Sequence, residues 1–363
     1  MRILQCISSL EGGGAEKQFG YLCEGLTKLG HDVVAVPLRP GANLERVLDS
    51  GATYMQVTSA SNFDPLIICR LHRIIRIHRP ELIQSWIPQM DILVGMVAAL
   101  SKIPHVLSER TSSAGLRQGW RESLRVAIGR RAAAVVANSA GGKAYWQNRA
   151  PAVPTIVIPN SIPFEEIQAA LPIAQADSAP DLDGELVVYL GRLIEIKNVS
   201  KLAAALIAIA AKRDQTKAVF LGDGPLAESI KSAVSAAGYG DRIRVLPYTS
   251  KPYGWLKRAS VFVSVSNFEG NPNAVLEAVA AGCPVVVSDI PAHREFLDER
   301  SATFVSGHSF ECIAAGIIDA LDNTVLAQKR AVIAKERISG RSSKDIALRY
   351  VQVYEETIQK AQQ

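Results

Sequence analysis

Residues 261–288 read VFVSVSNFEGNPNAVLEAVAAGCPVVVS, and this stretch decides the fold. An apolar, β-branched run ends in a polar loop, a short helical pattern follows, and a second apolar run closes the unit. Continuous apolar strands joined by a helix indicate a parallel sheet covered on both faces. Asn273 is expected to cap the helix and Gly282 to end it. The helix N-terminus, with its partial positive charge, then lies at the end of the preceding strand, where an anion such as phosphate fits.

The same rhythm extends in both directions. RILQCIS, HDVVAVPL, ELIQSW, HVLSER, AAAVVANS and TIVIPNS precede a break, and LVVYLGR, KAVFLGDG, RIRVLPY, CPVVVSD and ATFVSG accompany the quoted unit after it. The break, residues 161–184, carries prolines and acidic residues and reads as an interdomain segment. The prediction is α/β: two doubly wound, Rossmann-like domains of about six strands each, facing one another across a cleft, over residues 1–165 and 185–340. Residues 341–363 form a last helix with Ile346, Tyr350, Tyr354 and Ile358 in one apolar stripe. Packing against the second domain is the commoner outcome for such a stripe; the other is a return to brace the first.

Composition narrows the class. The chain has 363 residues, 48% apolar and 21% charged, which fits a well-cored globular protein and excludes a disordered or collagenous one. Cys6, Cys23, Cys69, Cys283 and Cys312 are scattered and form no C-x-x-C pair, so reduced thiols, a cytoplasmic setting and no structural zinc are expected. The longest apolar candidate, residues 92–100, is far short of the ~20 residues of a spanning helix. The N-terminus reads as a first strand, not a signal peptide. Residues 1–160 carry 18 Lys+Arg against 11 Asp+Glu, a net +7, while the remainder is at −2. That asymmetry points to an anionic partner for the first half.

Four segments carry candidate chemistry. In the quoted unit, Glu269 stands in the loop and Glu277 in the helix, where a carboxylate beside a phosphate site can grip ribose hydroxyls. In YLGRLIEIKN, residues 189–198, Arg192 and Lys197 follow a strand and would neutralise a diphosphate opposite that helix. FLGDGPLAES places Gly222, Gly224 and Ala227 in a G-x-G-x-x-A pattern, so a dinucleotide dehydrogenase has to be weighed. The next strand ends at Pro247 and Tyr248 with no acidic residue for the adenosine ribose, which argues against it. SSLEGGGAEKQ places three glycines and Glu16 between a strand and a helix, permitting close backbone approach to a ligand.

Together, YLGRL…K, LGDGP, EGNPNAVLEAVAAGCPVVVSD and GGGAE resemble the retaining GT-B glycosyltransferases of family 4 (glycosyl transferases group 1), of the bacterial surface-glycan type. The resemblance covers nearly the whole chain, and the E-x7-E block followed by A-x-G-C-P-V-V is its specific part. It implies transfer of a sugar from a nucleotide sugar, UDP-linked, to a glycan or lipid-pyrophosphate acceptor in cell-surface polysaccharide biosynthesis. By that resemblance Arg192 and Lys197 hold the donor diphosphate and Glu277 the ribose. Glu269 lies by the sugar ring, with the backbone of Gly270, Asn271, Pro272 and Asn273, and the first turn at Ala274 and Val275, around it. Gly222 belongs to the donor site, Pro247 and Tyr248 line the base pocket, and Gly13 and Gly14 approach the phosphate or acceptor. Where many members carry a histidine near the donor sugar, this chain has Glu109 and Arg110, so the resemblance puts these two in the donor site, and the usual N-G is Asn160–Ser161. No cofactor and no metal are expected. A nucleotide-sugar epimerase, or a decayed nucleotide-sugar-binding protein, is the competing reading.

Two stretches, RLHRIIRIHRP and GLRQGWRESLRVAIGRR, interleave arginines (Arg70, Arg73, Arg76, Arg79; Arg117, Arg121, Arg125, Arg130, Arg131) with Leu, Ile and Trp120. They are expected to lie on an anionic membrane surface or to steer a lipid-pyrophosphate acceptor. No groove-reading motif accompanies the charge, which argues against nucleic acid.

Overall fold

The structure is a computed structural model that describes residues 1–59, 61, 64–110, 119–173, 184–249, 251–307 and 309–363. Arg117 and residues 174–183 of the anticipated interdomain stretch lie outside the described residues. The chain divides into two compact units, Met1–Ser161 with Gly340–Gln363, and Ile162–Ser339.

In the first unit the order is β1 (Arg2–Ile7), α1 (Gly14–Lys28), β2 (Asp32–Pro37), α2 (Leu44–Asp49), β3 (Thr53–Tyr54), α3 (Leu66–His78), β4 (Leu82–Trp86), α4 (Pro88–Ser101), β5 (His105–Glu109), α5 (Trp120–Gly129), β6 (Ala134–Ala137), α6 (Ala140–Arg149) and β7 (Thr155–Val157). The strands are parallel and run β3-β2-β1-β4-β5-β6-β7 across the sheet. Alternate residues of each strand feed opposite cores. Ile3, Ile7, Val33 and Trp86 pack beneath α1, whereas Leu4, Cys6, Val34 and Ile83 pack beneath α3 and α4. The strand order reverses between β1 and β4, so the loops leaving those strands splay apart and leave a crevice at the carboxyl edge.

The second unit runs α7 (Phe164–Ala169), β8 (Glu185–Leu190), α8 (Val199–Ala210), β9 (Thr216–Leu221), α9 (Ala227–Ala236), β10 (Ile243–Leu246), α10 (Pro252–Arg258), β11 (Val261–Ser264), α11 (Asn273–Ala280), β12 (Val285–Ser288), α12 (Pro291–Arg294), β13 (Thr303–Val305), α13 (Phe310–Asp322) and α14 (Thr324–Arg337). Its parallel sheet has the order β10-β9-β8-β11-β12-β13, and the reversal falls between β8 and β11. Part of the stretch read as a linker is in fact structured. Phe164 and Ile167 of α7 pack into the core of this unit, because their apolar spacing supplies one buried face.

α15 (Ser343–Gln362) belongs to the first unit, not the second. A capping box between Ser342 and Asp345 starts it. Its stripe packs on α1, and a Cβ on Gly25 would meet the Ser343 carbonyl at 2.6 Å, so glycine lets the two helices touch. The buried Tyr354 hydroxyl donates to Gln84 and accepts from Gln5 Nε2, so this helix supplies a partner to two buried polar strand residues. No helix among the described residues is long and apolar enough to cross a membrane.

Candidate functional site

In the second unit the two loops flanking the strand reversal are tied together. β8 ends at Leu190 and the chain turns through Gly191 into a single 3-10 turn, Glu195–Lys197. Asn198 closes that turn with φ +56, a conformation asparagine tolerates, and its Nδ2 donates to the Gly307 carbonyl at 2.6 Å. Across the reversal, the Asn267 N–H donates to the Ile196 carbonyl at 2.9 Å. Lys197 Nζ lies 2.5 Å from Glu269 Oε1, and Ser266 Oγ donates to the same oxygen at 2.7 Å. Arg192 is exposed and forms no ion pair among the described residues.

α11 begins one residue earlier in character than its sequence suggests. Pro272 is the N-cap and Asn273 the first helical residue, which shifts the cap one position from the expected Asn273. No acidic residue stands in the first turn. The N-cap proline offers no side-chain bond to the helix end and the first turn adds no negative charge, which suits a ligand's anion. At the other end Gly282 adopts φ +77, with Gly282 N–H donating to Val279 and Cys283 N–H to Ala278. That is a Schellman closure, and it meets the expectation for glycine there. Glu277 lies one turn inside the helix and is 4% exposed. Val275 sends its side chain into the core beside Leu276 and Val279, so only its backbone is left for a ligand.

The G-x-G of the second βα loop has a packing role. A Cβ on Gly222 would stand 2.1 Å from the Gly191 carbonyl oxygen, and one on Gly224 would stand 2.3 Å from that of Leu193. Both glycines have positive φ, and Leu193 exchanges backbone bonds with Asp223 and Leu226. Gly222 therefore supports the loop that carries Arg192 from behind. Tyr248, exposed, follows Pro247 and donates its N–H to Asp223 Oδ2 at 3.0 Å, which places both residues beside the same loop.

In the first unit, Gly13 caps α1 and Gly14 begins it. A Cβ on Gly13 would meet the Glu16 carboxylate, so this helix end has an acidic side chain folded against it. Ile87, after β4, has φ +74, a strained conformation for a β-branched residue.

Glu109 and Arg110 part company at the end of β5. Glu109 is 0% exposed and its carboxylate accepts from Arg125 Nη2 at 2.7 Å and Trp146 Nε1 at 2.9 Å. Arg125 Nε also binds Asp91 Oδ2 at 2.8 Å. Ser85 Oγ donates to Asp91 at 2.6 Å and lies 2.8 Å from His105 Nε2. Burial pushes the Asp91 carboxyl up to about 6 against the pull of Arg125, and burial takes His105 down to about 4. Glu109 is thus a core residue and cannot stand by a donor sugar: strand alternation turns it toward α5 and α6. Arg125, expected on the basic surface, is 1% exposed, because it stands on the face of α5 that meets Asp91 and Glu109. Arg110 points to the other face. Its Nε donates to Ser108 Oγ at 2.9 Å, its Nη1 to Asn160 Oδ1 at 3.1 Å and its Nη2 to the Tyr350 hydroxyl, with the guanidinium 4.3 Å above the Trp86 ring.

Two family models account for most of the chain. Glycosyltransferase Family 4 matches residues 12–166 and Glycosyl transferases group 1 matches residues 172–337. The chain belongs to these glycosyltransferases. Similar proteins include the lipopolysaccharide core biosynthesis glycosyltransferase LpsD of Rhizobium meliloti, 26% identical over 96% of both chains. The phosphatidyl-myo-inositol mannosyltransferase of Mycobacterium leprae is 25% identical over 94% of this chain and 93% of its own. Among solved structures, Anabaena Alr3699/HepE in complex with UDP-glucose aligns with a TM-score of 0.84 over 98% of this chain and 100% of its own, at 16% identity. The fold is the GT-B type anticipated from the sequence.

For this glycosyltransferase the second unit gathers Arg192, Lys197, Glu269, Gly270 and the start of α11 at one strand reversal, while Glu109 and Val275 are drawn into cores. Asn198, Ser266, Ser288 and His293 escaped the sequence reading. Ser288 Oγ donates to the Ser266 carbonyl at 2.6 Å, and buried His293, held neutral by desolvation, bonds the Ser288 carbonyl through Nδ1 at 2.7 Å. They brace the Glu269 loop from below. Single polar residues at strand ends leave no periodic signal.

Proposed function

We propose that the protein is a retaining glycosyltransferase that moves a sugar from a nucleotide sugar, UDP-linked, to a glycan or lipid-linked acceptor in cell-surface polysaccharide biosynthesis. The donor is held by the second unit and the acceptor by the first. The observation that carries the reading is the Lys197–Glu269 pair at the β8/β11 reversal, beside exposed Arg192 and the start of α11, whose first turn carries no acidic residue. Breaking the anomeric C–O bond leaves positive charge on the sugar and negative charge on the diphosphate. Arg192, Lys197 and the helix end are fixed positive groups that stabilise the leaving diphosphate without a metal ion. Glu277 binds the ribose hydroxyls, Glu269 faces the sugar ring, and Pro247 and Tyr248 line the base pocket.

Retention follows from attack on the face the diphosphate leaves, with the departing phosphate oxygen taking the acceptor proton. The commitment of Glu269 to Lys197 and Ser266 favours this over a covalent glycosyl-enzyme, because a paired carboxylate is a poor nucleophile. The similarity to LpsD and to the mycobacterial mannosyltransferase supports a surface-glycan or lipid-linked acceptor.

The enzyme works at the cytoplasmic face of the membrane as a peripheral protein. α3, α4 and α5 lie side by side and expose Ile77, Leu100 and Trp120, the last two 73% and 69% accessible, among exposed Arg73, Arg76 and Arg121. An anionic bilayer matches that mixture of apolar anchors and positive charge. A thermal-shift panel of UDP-, GDP- and ADP-sugars tests the donor, followed by transfer assays with and without chelator. Stabilisation by UDP-sugars and chelator-resistant turnover are expected; turnover abolished by chelator overturns the metal-free mechanism.

A further inference from the structure

The first unit contains a cation, Arg110, that no carboxylate among the described residues answers. A guanidinium has five N–H donors. Arg110 spends three of them on Ser108, Asn160 and Tyr350, all neutral, and rests on the faces of Trp86 and Tyr350. One N–H on each terminal nitrogen has no partner among the described residues. Glu109, its neighbour at the end of β5, and Asp91 of α4 are both committed to Arg125. Residues 111–118 contain no Asp or Glu at all. A positive charge fixed in a half-buried place by neutral groups alone is costly unless an anion joins it.

Its position adds to the argument. Arg110 leaves the carboxyl edge of β5 and lies over Trp86, the last residue of β4, and β4 borders the strand reversal where α/β sheets take ligands. The next residue, Ile87, is held at φ +74, and strain of this kind collects at ligand sites. The floor is rigid: Trp86 Nε1 donates to Gln5 at 2.7 Å, and Phe19 packs edge-on against its ring at 5.7 Å. α1 does not compete for an anion, since Glu16 lies at its N-terminus.

We propose that Arg110 is an anion receptor that takes a phosphoryl group of the acceptor. This rests on the reading that the first unit binds the acceptor. The two spare N–H groups of a planar fork suit two phosphate oxygens, and the net +7 of residues 1–160 favours a group carrying more than one negative charge. Phosphoryl chemistry is shared by a phosphorylated sugar and by a lipid diphosphate, and the receptor itself reads only the oxyanion.

The full chain, saturated with UDP so that the donor cations are occupied, is titrated with inorganic phosphate against chloride at constant ionic strength, with melting temperature as the readout. Wild type is expected to gain stability with phosphate. Arg110→Gln should weaken the apparent phosphate affinity about tenfold or more, and Arg110→Lys, which keeps charge but loses the fork, by an intermediate factor. UDP affinity should stay within about twofold, since a charge-assisted contact to UDP is not what is removed. If Arg110 is only a strap between β5 and α15, Arg110→Gln lowers the melting temperature in chloride and keeps the full phosphate increment, which overturns the proposal. Acetate matching phosphate overturns the phosphoryl class. Should Arg110→Gln fail to fold, Arg110→Lys decides: an unchanged phosphate affinity overturns the proposal. Glucose 1-phosphate and farnesyl diphosphate in detergent then separate the two sources, and indifference of both to Arg110 overturns it. A wild type that ignores UDP defeats the donor reading alone, because the Arg110 dependence on phosphate is still read.

Discussion

Lys197 and Glu269 form an ion pair of 2.5 Å although 72 positions separate them, one on the turn after β8 and the other in the loop after β11. The pair spans the place where the order of the second sheet reverses, so it joins the two loops nearest any ligand at that edge. Both side chains retain some exposure, and the pair contributes only about 1 kcal/mol or less to folding. Lys197→Ala and Glu269→Gln are therefore expected to fold normally and to lose transfer by about 100-fold or more, the scale of removing one electrostatic partner of a leaving group. Transfer assays beside circular dichroism check this; wild-type-like turnover in both variants would refute the site.

Gly222 and Gly224 hold that edge from behind. An added methyl meets backbone in each case, at 2.1 and 2.3 Å, and backbone cannot step aside as a flexible side chain can. Gly222→Ala and Gly224→Ala should each destabilise the protein by about 2 kcal/mol or more. Gly240→Ala, where nothing lies within 4 Å, is the control and should be neutral or slightly stabilising. Urea denaturation of the three variants measures the difference, and equal midpoints would show that the loops can separate without cost.

How far the sequence could be read depended on the range of the interactions. The strand–loop–helix–strand unit around Glu269 was legible because run length, asparagine, proline and glycine all act within a few residues of where they stand. Arg125 was not: within RESLRVAIGRR it reads as one more surface cation, yet its partners Asp91 and Glu109 come from 34 and 16 residues upstream. The stripe of α15 announced a buried face, but the partners that choose its unit, Gln5 and Gln84, lie more than 250 positions away. Gly222 and Gly224 matched a nucleotide fingerprint because the tight loop packing they serve needs the same residue as a close phosphate contact.

The proposed membrane face gives a prediction with its own control. Charge reversal at Arg73, Arg76 and Arg121 together should weaken binding to anionic vesicles by about 100-fold, at roughly 1 kcal/mol per basic residue, and Trp120→Ser should weaken it further. Arg300→Glu on the second unit should change little. Arg125 is excluded from the set, because its reversal would unfold the core rather than alter the surface. Co-sedimentation with anionic and neutral vesicles reads the outcome; equal pelleting of the triple variant would remove α3–α5 as a docking face.

Ser85 joins two groups whose titrations oppose each other. Asp91 has its carboxyl raised from 3.8 to about 6 in the fold, so between about pH 4 and 6 the unfolded chain releases a proton that the native protein keeps, and stability falls as pH rises. His105 is lowered from 6.5 to about 4, so over nearly the same window the unfolded chain holds a proton that the native imidazole refuses, and stability rises with pH. Each contribution is on the order of 2–3 kcal/mol, and the two nearly cancel. Arg125 faces the same cluster and stays protonated throughout, held more firmly so by the Asp91 and Glu109 carboxylates beside it. His105→Gln should therefore expose a decline in stability from pH 4 to 6.5 relative to wild type, and Asp91→Asn a rise. Urea denaturation at pH 4, 5, 6 and 7 reads the slopes independently of any shift in baseline; profiles parallel to wild type in both variants would show that the pair does not titrate inside the fold.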